Sequence, residues 1–82
     1  MTKRPDHGRQ IAAARALLRM SQVEAAKAAG LHAQALVYNE RRGCLPRFSY
    51  AGDKIANALE PLGVRFETRP DGYAVVFTAP GE

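Results

Sequence analysis

The chain has 82 residues, 46% of them hydrophobic, with twelve Lys/Arg against eight Asp/Glu for a formal net charge of +4. That length suffices for one domain with a small core, since a chain of this size buries only about 60–65% of the surface its unfolded form exposes. No run approaches the roughly 18 apolar residues of a membrane helix, and the opening Met-Thr-Lys-Arg-Pro-Asp-His-Gly lacks the apolar segment of a secretory signal, so a cytoplasmic location is expected.

Charge is segregated along the chain. Up to Lys54 there are ten Lys/Arg against four Asp/Glu, and beyond it two against four, so the positive field belongs to the first half. Cys44 is the only cysteine, which excludes an internal disulfide and a thiolate cluster for zinc. No metal or cofactor is expected. Catalysis is not expected either: His7 lies in the N-terminal tail and His32 at a helix start, with no nucleophile–base pairing and no phosphate-binding loop.

Residues 1–7 read as a flexible basic arm, with Asp6 placed to cap a first helix over about 8–20 whose stripe is Ile11, Ala14, Leu17 and Leu18. Ser21 followed by Glu24 has the spacing of a capping box and opens a second helix, in which Val23, Ala26 and Ala29 recur at helical spacing. Gly30 sits where a left-handed residue ends that helix, Leu31 anchors the turn, and a further helix spans about 32–41. Two short helices joined by a glycine turn within some twenty residues have the dimensions of a helix-turn-helix. In a basic half-chain, that combination points to DNA.

After Gly43 the run Cys44-Leu45-Pro46-Arg47 is a loop, and Ser49 starts a fourth helix with Ile55, Ala58, Leu59 and Leu62 as its core-facing stripe and Gly63 as its stop. Val64, Phe66 and Thr68 then alternate with Arg65 and Glu67, Arg69-Pro70-Asp71-Gly72 reads as a turn, and Tyr73–Phe77 reads as a second strand. A two-stranded hairpin is marginal alone, so it must pack on the helices or pair with another chain. Both arrangements stay open at this point. The fold class is mainly α: four helices and a C-terminal β-hairpin, organised as an arm over 1–7, a helical DNA-binding domain over 8–62 and a hairpin segment over 63–82.

With Ala33 taken as zero and about 100° per residue, Gln34, Val37, Tyr38 and Arg41 share its face of the helix, while Ala35, Leu36 and Asn39 face the other way. Gln34 is the foremost candidate for base reading, because a primary amide donates and accepts at once against the N6/N7 edge of adenine. Tyr38 and Arg41 are further candidates, and Ala33 and Val37 suit a thymine methyl. Phosphate contacts are expected from Gln22 at the start of the second helix and from His32, Arg42, Arg47, Lys3 and Arg4.

The stretch GRQIAAARALLRMSQVEAAKAAG, followed by a turn and a helix ending in Glu-Arg-Arg-Gly, resembles the DNA-binding domain of lambda-repressor-like regulators of the Cro or XRE type. The resemblance covers about residues 8–62. It implies a sequence-specific transcriptional regulator that binds double-stranded DNA, a homodimer and a repressor, with Arg15 and Glu40 as a structural ion pair between the first and third helices. This chain departs from the pattern in three places: Asn39 stands where the family carries an apolar residue, the closing glycine arrives one residue late, and His32 replaces the usual Ser or Thr cap. The alternative function is an antitoxin-like or accessory module whose hairpin edge takes a protein partner by strand addition.

Overall fold

The computed structural model describes residues 3–79. Residues 1 and 2 of the expected arm and 80–82 of the expected C-terminal segment lie outside the described residues. The order of elements is α1 (Gly8–Leu18), α2 (Gln22–Ala29), α3 (Ala33–Arg41) and α4 (Tyr50–Leu59), then a 3-10 turn over Glu60–Leu62 and the strands β1 (Val64–Arg69) and β2 (Gly72–Phe77). Among the described residues, no helix is long and apolar enough to cross a membrane.

His7, rather than Asp6, caps α1: its Nδ1 accepts from the Arg9 amide at 3.1 Å, while Gln10 Oε1 accepts from the His7 amide at 3.0 Å. The reason is tertiary. The Asp6 carboxylate is engaged by the Thr68 hydroxyl of the hairpin and by Lys3, and these hydrogen bonds, the Thr68 one foremost, hold its pKa below the usual carboxylate value. α1 stops at Leu18, two residues short of the expected end, because Arg19 adopts a left-handed conformation at φ 57°.

α2 opens on the reciprocal cap its sequence announces, with Glu24 N donating to Ser21 Oγ at 3.0 Å and Ser21 N to Glu24 Oε1 at 2.8 Å. Gly30, left-handed at φ 70°, ends it, and Leu31 N reaches back to the Ala26 carbonyl at 2.8 Å. Val23 does not belong to the buried stripe. It is 64% exposed, and Ala25 takes its place beside Ala26 and Ala29.

The end of α3 differs most from a glycine-capped helix. Arg42 is extended, and Gly43 and Cys44 run on to pair with the segment before α1: His7 and Cys44 form an antiparallel bridge, Gly8 N donates to Gly43 O at 3.0 Å and Leu45 N to Asp6 O at 2.9 Å. Gly8 permits this approach, since a Cβ there would overlap the carbonyl oxygens of Asn39, Glu40 and Arg42.

Residues 3–7 are therefore bound to the domain rather than forming a free arm: Pro5 is buried, Lys3 pairs with Asp6 at 3.0 Å and Arg4 with Asp53 at 3.2 Å. The core gathers Ile11 and Ala14 of α1, Ala25, Ala26 and Ala29 of α2, Leu36 of α3, Leu45, and Ile55, Ala56 and Leu59 of α4, closed by Val64 and Phe66 of β1.

The hairpin pairs antiparallel, Val64 opposite Phe77 through Arg69 opposite Gly72. It lies on its own helices. Buried Gln10 is the hub: its Nε2 donates to the carbonyls of Glu67 at 2.8 Å and Ala74 at 3.1 Å, while its Oε1 accepts from Asp6 N at 2.7 Å as well as from His7 N. The outer face of β1 carries Arg65, Glu67 and Arg69 in mutual ion pairs.

Candidate nucleic-acid interface

α3 is anchored from below by Leu36 and Asn39, both buried. Asn39 tolerates an apolar setting because its Nδ2 donates to the Ala35 carbonyl one turn back at 2.8 Å, and among the described residues no fully buried side-chain nitrogen or oxygen lacks a partner. The neighbouring Glu40 fixes the helix sideways. Arg15 grips it in a fork, Nε to Oε2 at 2.6 Å and Nη2 to Oε1 at 3.1 Å, and Arg15 Nη1 also donates to the Met20 carbonyl at 3.0 Å. The Arg15 side chain is 21% exposed and that of Glu40 only 6%. The hydrogen bonds that Arg15 donates to Glu40 raise the Arg15 pKa further above its already high value, so the guanidinium stays charged at any ordinary pH.

Gln22 joins this pair, its Nε2 donating to Glu40 Oε1 at 3.2 Å. The expectation that its amide serves a phosphate is thus modified: the side chain links α2 to the α1–α3 lock, and the Ser21–Glu24 cap occupies part of the same helix end. The Ser21 amide and hydroxyl that bond Glu24 also lower the pKa of its carboxyl.

On the opposite side of α3, Ala33, Gln34, Val37, Tyr38 and Arg41 together line one shallow depression of 370 Å³. Its floor is the half-buried Ala33 and Val37, and its rim is the exposed Gln34, Tyr38 and Arg41. Tyr38 is 63% exposed, and the Arg42 guanidinium stands over its ring at 5.3 Å, a cation–π arrangement that restrains both groups. All five side chains that the helical wheel assigned to one face share this surface. The groove combines apolar contact, a bidentate amide, a phenol and a guanidinium, and it has the dimensions of a helix edge rather than of an enclosed cavity.

The cations proposed for phosphate contact are dispersed differently. His32 is exposed at the start of α3 and makes no side-chain cap hydrogen bond among the described residues. Arg42 is beside Tyr38. Arg47 stands over the Phe48 ring at 5.8 Å, and Arg4 approaches the same ring at 6.0 Å while paired with Asp53. Lys3 is committed to Asp6. Lys3 and Arg4 therefore belong to the packed N-terminal segment, and neither lines the depression on the α3 face.

Two exposed aromatics escaped the sequence reading, Phe48 at 82% and Tyr50 at 72% exposure, the second with Lys54 Nζ 5.0 Å from its ring centre. The available signal was the interleaving of Arg47, Phe48, Tyr50 and Lys54 just after the loop, a pattern suited to a charged polymer. No cluster of three or more His, Cys, Asp or Glu that could hold a metal occurs among the described residues. Away from α3, Leu17, Leu18, Arg19, Met20, Leu62 and Phe77 line an apolar depression of 610 Å³. No protein-family model, curated protein or solved structure matches this chain.

Proposed function

We propose that the chain is a sequence-specific DNA-binding transcriptional regulator, a dimeric repressor built on a lambda-repressor-like helix-turn-helix in which α3 enters the major groove. The observation that carries this reading is the shared exposed surface of Ala33, Gln34, Val37, Tyr38 and Arg41 on a helix whose opposite side is pinned by Leu36, Asn39 and the Arg15–Glu40 pair. A reading helix needs that division. Its outer edge must be free to meet bases, and its pose must be held to within a fraction of an ångström for a bidentate contact to discriminate. Positive charge concentrated in the same half of the chain supplies the long-range attraction to phosphates.

Gln34 carries the sharpest base contact, paired with adenine, while Val37 and Ala33 offer methyl-sized apolar contact and Tyr38 is held in place by Arg42. His32 at the start of α3 and Arg42 at its end border this edge as phosphate contacts, Arg47 of the following loop is a further one, and the α2 start supplies backbone amides. A second copy gives the two-part site of such regulators. The surface left for it is the apolar depression around Leu17, Leu62 and Phe77, which no α3 residue lines. Selection of bound duplexes from a random pool, followed by fluorescence anisotropy with Gln34→Ala, tests the reading. Wild type is expected to enrich a symmetric pair of half-sites about one helical turn apart, and the variant to lose discrimination at a single position of each half-site by about 1–3 kcal/mol. Unchanged preference in the variant would remove the base-reading role of Gln34.

A further inference from the structure

Arg41 belongs to two depressions. Besides the α3 groove it lines a second one of 450 Å³ together with His7, Arg9, Gly43 and Tyr73, which come from the cap and first turn of α1, the α3–α4 loop and the start of β2. This basin is rigidly framed. The His7–Cys44 bridge and the Gly8–Gly43 hydrogen bond fix its backbone, and the His7 and Tyr73 rings stand 4.8 Å apart at 43°.

His7, Arg9 and Arg41 each face it with a donor, and the Tyr73 hydroxyl, 3.4 Å from Cys44 Sγ, keeps its hydrogen for the basin when the thiol donates to it. His7 Nδ1 is used up accepting from the Arg9 amide, so in the neutral ring the hydrogen sits on Nε2, the free side. Arg9 and Arg41 are both exposed, and among the described residues neither has a carboxylate partner within ion-pair distance, although they converge on one surface. The acids adjacent in sequence are turned elsewhere, Asp6 beside His7 onto Thr68 and Lys3, and Glu40 beside Arg41 onto Arg15 and Gln22. Two unpaired guanidiniums about one depression repel each other unless an anion lies between them, and the planar fork of arginine matches a tetrahedral oxyanion.

We propose that His7, Arg9, Arg41 and Tyr73 form a phosphate-binding pocket continuous with the α3 face, where it receives a backbone phosphodiester of the same duplex. The proposal rests on the DNA-binding reading for the source of the phosphate, not for the pocket itself. It gives the hairpin a part in the interface, through Tyr73. It also changes the role of Arg41, which then holds backbone and affects all sequences alike.

The test pairs duplex titrations with a titration of inorganic phosphate. Arg9 is exposed, so Arg9→Gln keeps the fold, which circular dichroism checks, and Tyr73→Phe serves as a second variant. On a selected duplex, Arg9→Gln is expected to weaken binding about tenfold, the worth of one charge-assisted hydrogen bond. The slope of log affinity against log salt should shrink by about 0.9, with the ranking of sequences unchanged. In nuclear magnetic resonance titrations of the wild type, inorganic phosphate should shift the Gly43 and Tyr73 amides, and Arg9→Gln should abolish those shifts.

If phosphate shifts those amides but Arg9→Gln leaves duplex affinity and slope untouched, the pocket takes a free phosphate, and its backbone role is overturned. If the wild type ignores duplexes yet responds to phosphate at these residues, the regulator reading fails and the pocket stands. If neither duplex nor phosphate distinguishes wild type from Arg9→Gln, the pocket itself is refuted.

Discussion

Replacing Glu40 with alanine isolates the interaction that sets the pose of α3. Glu40 accepts from Arg15 Nε at 2.6 Å, from Arg15 Nη2 at 3.1 Å and from Gln22 Nε2 at 3.2 Å. Its removal leaves the Arg15 guanidinium with the Met20 carbonyl as its remaining hydrogen-bond partner and the Gln22 amide with none among the described residues. Stranding a fully buried charge costs about 3–5 kcal/mol. Water reaches Arg15 through the 21% of its side chain that is exposed, which lowers the expected loss to about 2–3 kcal/mol. A domain of 82 residues has roughly 4–12 kcal/mol in all, so the variant forfeits a large share of its stability.

Thermal denaturation should register a drop of roughly 8–24 °C, and urea titration an earlier midpoint at unchanged slope. The double variant Arg15→Met/Glu40→Met is the control, because exchanging both ions for apolar groups costs less than orphaning one. DNA affinity measured below the melting transition should also fall, since α3 loses its tie to α1 and α2. A drop smaller than about 4 °C would place the pair among surface ion pairs worth about 1 kcal/mol or less, and the argument that it positions the helix would be refuted.

Gly8→Ala should destabilise by about 1–3 kcal/mol in the same melts, because the added methyl meets three carbonyl oxygens of the α3 end; a helix-stabilising gain instead would show that this contact yields freely. Arg19→Gly should act oppositely. The left-handed φ of 57° costs a residue with a side chain about 1–2 kcal/mol, of which the greater freedom of glycine in the unfolded chain cancels part, leaving a net gain of about 0.5–1 kcal/mol by urea midpoint. Acid should unfold the protein through its paired carboxylates. Asp6, Glu24 and Glu67 all have folded pKa values below their ordinary 3.8 and 4.5, held down chiefly by Thr68, by Ser21 and by Arg69 respectively. Their contribution is therefore complete above those ordinary values and disappears as pH falls through the lowered ones, so urea midpoints should be level from pH 7 to about 5 and decline below 4.5. A midpoint that stays level down to pH 3 would contradict the assigned hydrogen bonds.

The features legible in the sequence are those whose physical cause lies within four residues. Ser21 and Glu24 satisfy each other across one helical turn, Gly30 supplies a backbone angle by itself, and the face of Ala33, Gln34, Val37, Tyr38 and Arg41 follows from helical rotation alone. The misread features have partners far away in the chain. Asp6 has the chemistry of a cap, but Thr68, 62 residues on, takes its carboxylate and leaves the position to His7. Lys3 and Arg4 have the composition of a loose arm until Asp6 and Asp53 hold them.

Gln10 gave no sequence signal at all, yet its four hydrogen bonds join the N-terminal segment, α1 and both strands. One buried amide thus couples the hairpin to the helix whose Arg15 grips α3. The path from Tyr73 to the exposed face of α3 accordingly runs through packed and hydrogen-bonded groups rather than through solvent. For the hairpin to supply one wall of the proposed phosphate pocket it must keep its position relative to α3, and Gln10 together with the His7–Cys44 bridge provides that constraint from two sides.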